Sequence, residues 1–339
     1  MRHLVGIVGY RGYSGAELVS ILRAHPHVRP VLMEHRAAGD GGGDSGIRAG
    51  GAKALHEIPA TPDAVRAEKI EIVCLATPAE VSMQLAPQML DAGARVIDLS
   101  GAFRFRGAET FTSWYQLPAP HAEWLGEAVY GLPELYSKEI AAARLVANPG
   151  CYSTSVILAL RPLTESGWIA RNTSVVCDCK SGASGAGKDP RRDLHFVEVD
   201  ENFKAYGLFT HRHTPEILEH TGLSESQVVF STHLLPLARG ILSTIYVTLD
   251  PPRSGADVEA LFRKFYAGRP MVRIWRAGAL PELQHVAHTN FCDIGFALDS
   301  SGRRLVLISC LDNLGKGAAG QAVQNLNHML GIEEQTSLQ

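Results

Sequence analysis

At the N-terminus a short apolar run passes directly into a glycine-rich turn and then a helix, an order that few folds outside a βα unit can hold. The run is His3-Leu4-Val5-Gly6-Ile7-Val8-Gly9, and the turn is Gly9-Tyr10-Arg11-Gly12-Tyr13-Ser14-Gly15. The helix signal is GAELVSILRAH, in which Leu18, Ile21 and Leu22 recur at helical spacing. The glycine spacing is G-x-x-G-x-x-G rather than the commoner G-x-G-x-x-G, but the physics is shared. Glycines permit the tight turn and let a pyrophosphate approach the amides at the helix N-terminus. Gly9, Gly12 and Gly15, with Tyr13 and Ser14 between them, are therefore candidates to cradle a dinucleotide. A glycine-tolerant turn with no ligand is the plainer reading, and the βα signals that follow weigh against it.

Those signals continue through residue 150. Val28–Glu34 reads as a second strand and Ile70–Ala76 as a third. A helix from Pro78 to about Ala92 stops at Gly93, and Ala94–Ser100 is another buried strand. Alternation of this kind predicts an α/β fold with a Rossmann-like, doubly wound parallel sheet. Arg36 to Gly51 is rich in glycine and reads as a mobile loop beside the cofactor. At the end of the second strand, Glu34 would suit the 2′-hydroxyl of NAD and Arg36 the 2′-phosphate of NADP. Both are present, and Arg36 with NADP(H) is the reading favoured here.

After Cys151 the texture changes. A helix over STSVILALRPLTESG is followed by long strand candidates: TSVVCDCK, QVVFSTHL, GILSTIYVTLD, and the pair NFCDIGFALD and RRLVLISCLD around Ser300-Ser301-Gly302. These predict an α+β catalytic domain with a mostly antiparallel sheet. ADVEALFRKFYAG reads as an amphipathic surface helix, and a last helix runs from about Gly317 to Leu330. The expected domains are 1–150 for NADP, 151–311 for catalysis and oligomerisation, and 312–339 rejoining the first.

Bulk properties narrow the function. A net charge of −3 without a long basic run gives no reason to expect a nucleic-acid partner. No stretch approaches the roughly 18 consecutive apolar residues of a membrane span, and no secretory leader precedes the first strand. A cytoplasmic globular enzyme is expected. The six cysteines lack metal spacing, and Cys177 and Cys179 share one face of a strand, so no metal site is expected.

Two segments carry reactive chemistry. In Val146-Ala147-Asn148-Pro149-Gly150-Cys151 a strand ends, a Pro-Gly turn follows, and a helix begins at the thiol. The positive end of a helix dipole favours a thiolate, and its amides could hold an oxyanion. Most lone cysteines are core residues, so this context is what singles out Cys151. In His211-Arg212-His213-Thr214-Pro215-Glu216-Ile217, Thr214 and Pro215 look like an N-cap and first turn, with the histidines in the loop before them. Such a histidine can serve a thiol as acid or base. Gly182 to Lys188 imitates a phosphate-binding P-loop, but Asp189 stands where that motif needs Ser or Thr. A glycine-rich loop near the active site, with Lys188 exposed to anions, fits better.

Eight motifs in order, GYRGYSGAEL, IDLSGAFR, YGLPE, VANPGCYST, SGASGAGK, HRHTPEI, LARGI and DNLGKGAAGQAVQN, closely resemble the N-acetyl-gamma-glutamyl-phosphate reductase family. This is the arginine-biosynthesis branch of the aspartate-semialdehyde dehydrogenase group. The resemblance implies that Cys151 is the nucleophile and His211 the acid/base residue. It implies an NADP loop at Gly9, Gly12 and Gly15, and a nicotinamide contact at Asn313. Thr77, Ser100, Ser184 and Gly185 are the further cofactor contacts it suggests. Arg104, Asn148, Lys188, Arg212, His213 and Arg239 are its candidates for holding a small acyl-phosphate substrate. The implied reaction is NADPH-dependent reduction of N-acetyl-L-glutamyl 5-phosphate to the semialdehyde through a Cys151 thioester, by a homo-oligomer (a dimer or tetramer). Two positions depart from the family pattern: Ser153 replaces its usual proline, and His35-Arg36 its usual Ser-Arg. Rival readings are a reductase of aspartyl or carrier-bound aminoadipyl phosphate, and a dinucleotide sensor without turnover. A sensor has no need for both Cys151 and the histidine loop.

Overall fold

A computed structural model describes residues 2–35 and 55–338. Arg36 and the glycine-rich stretch that follows, to Gly51, lie outside the described residues. The chain divides into two compact units, one of residues 1–108, 119–148 and 322–339, the other of 109–118 and 149–321.

The first unit is built on β1 (His3–Val8), α1 (Tyr13–Ala24), β2 (Val28–Glu34), β3 (Glu57–Pro59), α2 (Pro62–Glu68), β4 (Ile72–Leu75), α3 (Ala79–Asp91) and β5 (Arg95–Asp98). The short helices α4 (Ala108–Tyr115) and α5 (Ala122–Glu127) precede β6 (Val129–Tyr130), α6 (Pro133–Ala142) and β7 (Leu145–Ala147). All seven strands pair in parallel, in the order β3-β2-β1-β4-β5-β7-β6. Val5, Ile7 and Val8 of β1 and every residue of β4 are buried, as a strand covered on both faces requires. The Rossmann-like expectation is met. Residues 70–76 hold the fourth strand rather than the third, because three-residue β3 pairs at the sheet edge where only Ile58 needs to be buried.

The second unit begins with α7 (Cys151–Glu165) and β8 (Val175–Gly182), then α8 (Phe196–Val199), β9 (Lys204–Tyr206), α9 (Thr214–Thr221), β10 (Val228–Leu235) and β11 (Ile241–Thr248). It continues with α10 (Gly255–Phe265), β12 (Val272–Ile274), β13 (Cys292–Leu298) and β14 (Arg304–Leu311). Its sheet order is β12-β13-β14-β11-β8-β10-β9, antiparallel except at β12–β13 and β8–β10. Alternate residues of β8, β10 and β11 are buried, and the intervening ones stay half-exposed. One face of this sheet is thus dry, and α7, buried at eleven of its fifteen positions, packs against β11 and β14.

Two boundaries differ from the sequence reading. His213, not Thr214, is the N-cap of α9, and Pro215 sits in its first turn. The final helix, α11 (Gly320–Leu330), is preceded by a π-helical turn over Gly315–Ala319. Three glycines in residues 315–320 make ordinary α-helix less favoured there.

Candidate active site

In the second unit, Gly150 is the N-cap of α7 in extended conformation, and no side chain caps the helix. Cys151 therefore occupies the first turn, where backbone amides lack intrahelical acceptors. No disulfide joins any of the six cysteines, and Cys151 is the only one of them not buried. Burial pushes the thiols of Cys74 and Cys179 up to about 12, so they remain inert SH groups.

Two glycines bring other groups against the thiol-bearing residue. A Cβ at residue 150 would lie 2.3 Å from Nε2 of His213, so this imidazole lies against the N-cap. A Cβ at residue 317 would lie 2.8 Å from the Cβ of Cys151. From the other side, the buried carboxylate of Glu216 accepts the Gly150 amide at 2.9 Å. Hence the second half of HRHTPEI fixes the turn that presents the cysteine.

His211 sits among rings. Its centroid is 4.7 Å from His213, 5.5 Å from Tyr152 and Phe230, and 5.7 Å from Tyr206. The His213 amide donates to its Nδ1 at 3.1 Å. Burial, helped by the charge of Arg212, lowers the His211 pKa to about 4, leaving a neutral ring at pH 7. The Tyr206 hydroxyl donates to that of Tyr152, which donates to the His233 carbonyl. Tyr152 and Tyr206 are thereby held as walls, and burial raises both phenols.

A second group in this unit joins three of the residues expected near a cofactor. The Asn313 amide donates to the Ser184 hydroxyl and accepts from the Gly240 amide, both at 2.8 Å, and Gly185 lies beside it. Next to Asn313, the buried Asp312 accepts the Leu314, Gly315 and His288 amides and lies 3.6 Å from Nε of Arg239. Arg239 also bonds the His288 ring at 2.6 Å. Arg212 is exposed and lies over Tyr115 at 5.1 Å, and Lys188 is exposed.

In the first unit, Gly9 has φ +79°, and a Cβ there would lie 2.3 Å from the Ala76 carbonyl. Gly15 is as crowded, its Cβ position 2.2 Å from the Gly9 carbonyl, whereas at Gly12 the nearest atom is 3.5 Å away. Two glycines thus serve the turn itself, and the third leaves space in front of an uncapped helix N-terminus. That is the cradle a pyrophosphate needs. Thr77 is beside Gly9 and bonds Ser82, while Ser100 bonds the buried Asp98. Arg104 is buried; its Nε holds the Asn148 carbonyl and its Nη2 the Leu99 carbonyl. Asn148 also accepts from Asn325 at 3.0 Å.

Glu216, Gly317, Tyr152 and Tyr206 had no role in the sequence reading. Glu216 and Gly317 stand inside quoted motifs, a usable signal, but their partners are distant in sequence.

Residues 4–143 match the family described as semialdehyde dehydrogenase, NAD binding domain, and residues 151–313 that described as semialdehyde dehydrogenase, dimerisation domain. N-acetyl-gamma-glutamyl-phosphate reductase from Moorella thermoacetica is 43% identical, covering 98% of this chain and 97% of that protein. The Brevibacillus brevis protein of the same name is 41% identical over the same shares. The chain belongs to the N-acetyl-gamma-glutamyl-phosphate reductase family. Aspartate semialdehyde dehydrogenase II of Vibrio cholerae shares the fold of this family member at a TM-score of 0.71 and 16% identity, covering 98% of this chain and 99% of that one. The Candida albicans aspartate semialdehyde dehydrogenase solved with NADP aligns at a TM-score of 0.70 and 15% identity, covering 98% and 99%.

Proposed function

We propose that the chain reduces N-acetyl-L-glutamyl 5-phosphate to N-acetyl-L-glutamate 5-semialdehyde, releasing phosphate, through a thioester on Cys151. The observation that carries this reading is the placement of Cys151 at an uncapped helix N-terminus with the His213 ring against its N-cap. The helix end favours the thiolate, which attacks the acyl carbonyl and expels phosphate. First-turn amides of α7 face the charge that develops on the carbonyl oxygen. Bound NADPH supplies the hydride that takes the thioester to the aldehyde level. The tetrahedral adduct on Cys151 then collapses, breaking the C–S bond and freeing the semialdehyde.

The resemblance assigned the proton to His211. The contacts above favour His213 as the ring that exchanges it, with His211 holding the His213 backbone through its Nδ1. Gly9, Gly12 and Gly15, with the Tyr13 and Ser14 amides, suit the pyrophosphate, and Thr77 and Ser100 border it. Ser184, Gly185 and Asn313 suit the nicotinamide end. Exposed Lys188 and Arg212 are assigned to the phosphate and carboxylate of the substrate, with Arg239 oriented by Asp312. Arg104 and Asn148, whose carbonyl it braces, are assigned to the substrate as well.

A homo-oligomer in the cytoplasm is part of the same reading. The half-exposed sheet face, with Val176, Val229, Leu242 and Tyr246, is the surface assigned to a second copy.

Steady-state assay in the reverse direction tests the substrate. N-acetylglutamate semialdehyde should support phosphate-dependent reduction of NADP far better than aspartate semialdehyde does. The opposite preference would overturn the assignment.

A further inference from the structure

We infer that Arg11, in the glycine-rich turn, sets the choice of NADPH over NADH by neutralising Glu34 at the end of β2. The inference rests on the NADPH reading above. A carboxylate at this strand end suits NAD because it accepts hydrogen bonds from the ribose hydroxyls, and it repels the 2′-phosphate of NADP. Glu34 is the residue that should make this chain an NAD enzyme. Its carboxylate is instead engaged from within the protein. Nη1 of Arg11 reaches Oε2 at 2.5 Å, and the Tyr10 hydroxyl donates to the same oxygen at 3.3 Å. The His35 amide donates to Oε1 at 3.1 Å, and the His35 ring stands 3.9 Å from it.

The local charge explains why one arginine matters. β3 pairs with β2 here and brings Glu57 beside Tyr10, so two carboxylates face this corner. Burial raises the Tyr10 phenol to about 12, opposed by Arg11 and reinforced by Glu57 and Glu34, so it stays a neutral donor. The Arg11 guanidinium lies 5.1 Å from the Tyr10 ring centroid, which orients it toward Glu34. Half-exposed ion pairs add little to folding stability. The placement, at the junction of the glycine turn and the β2 end, gives this pair a binding role instead. Arg11 thus adds a second arginine to Arg36, the one the strand-end position suggests for the 2′-phosphate.

The test is equilibrium binding, read by quenching of intrinsic fluorescence, of NADPH, NADH and 2′,5′-ADP to wild type, Arg11→Ala, Glu34→Gln and the double variant. Arg11→Ala should weaken NADPH and 2′,5′-ADP about tenfold or more and leave NADH binding as tight or tighter. Glu34→Gln should keep NADPH affinity, and adding it to Arg11→Ala should recover most of what was lost. NADPH binding by Arg11→Ala at wild-type strength, or no recovery in the double variant, overturns the inference. Circular dichroism of each variant separates misfolding from lost recognition. If wild type itself prefers NADH, the NADPH reading fails first, which is a distinct result.

Discussion

Cys151 differs from the other five cysteines in its surroundings rather than its sequence type. His213 and Glu216, from one segment, hold its N-cap Gly150, and Gly317 approaches the cysteine from a second place in the chain. Cys151→Ser is expected to lower kcat by at least about a thousandfold while NADPH still binds with unchanged affinity. Turnover near the wild-type rate would remove the covalent scheme. His211 offers a pH signature. Its folded pKa, about 4, lies below the ordinary 6.5, so protons bind the unfolded chain more readily. Stability is complete at neutral pH and falls as pH drops from about 6.5 toward about 4, by up to about 3 kcal/mol. His211→Phe should flatten that fall in urea denaturation between pH 7 and 5, and an unchanged slope would contradict it. At this scale the sequence showed the thiol and the histidines, because a Pro-Gly turn and a helix start are local. It did not show Glu216 or Gly317 as partners, because their contacts are tertiary.

Elements were legible where their pattern was long. β2, α7, β11 and the β13–β14 pair stand close to where hydrophobic period and turn residues placed them. β3 and β6, of three and two residues, carry too little pattern to read, and their existence depends on pairing with a neighbour. In α7, Ser153 replaces the proline that the family usually has, yet the helix begins at Cys151 all the same. The Ser153 hydroxyl is buried and finds no hydrogen-bond partner among the described residues. Removing an unsatisfied buried hydroxyl relieves a desolvation cost. Ser153→Ala is therefore expected to raise unfolding stability by about 1 kcal/mol, measured as a higher urea midpoint with unchanged slope. A loss of stability would mean that the hydroxyl is satisfied in solution.

For the whole molecule, alternation of strand and helix announced one parallel sheet, and long strands after Cys151 announced a second, mixed one. Chain order alone could not show that residues 109–118 group with the second unit. Such grouping is decided by tertiary contacts, which local pattern does not encode. The half-exposed face of the second sheet predicts self-association. Tyr246, on the fourth strand of the seven, is a large apolar side chain left 45% exposed on that face. Tyr246→Arg should shift the protein toward monomer in light scattering, and an unchanged mass would place the interface elsewhere. The central claim, an acyl group carried on Cys151, is most directly tested by mixing enzyme, NADP and N-acetylglutamate semialdehyde rapidly without phosphate. Oxidation to the thioester should release one equivalent of NADPH per active site in a burst and then stop. The Cys151 peptide should carry the N-acetylglutamyl mass, and adding phosphate should restart turnover. Steady NADPH formation without phosphate, or no burst and an unmodified Cys151, would contradict the account.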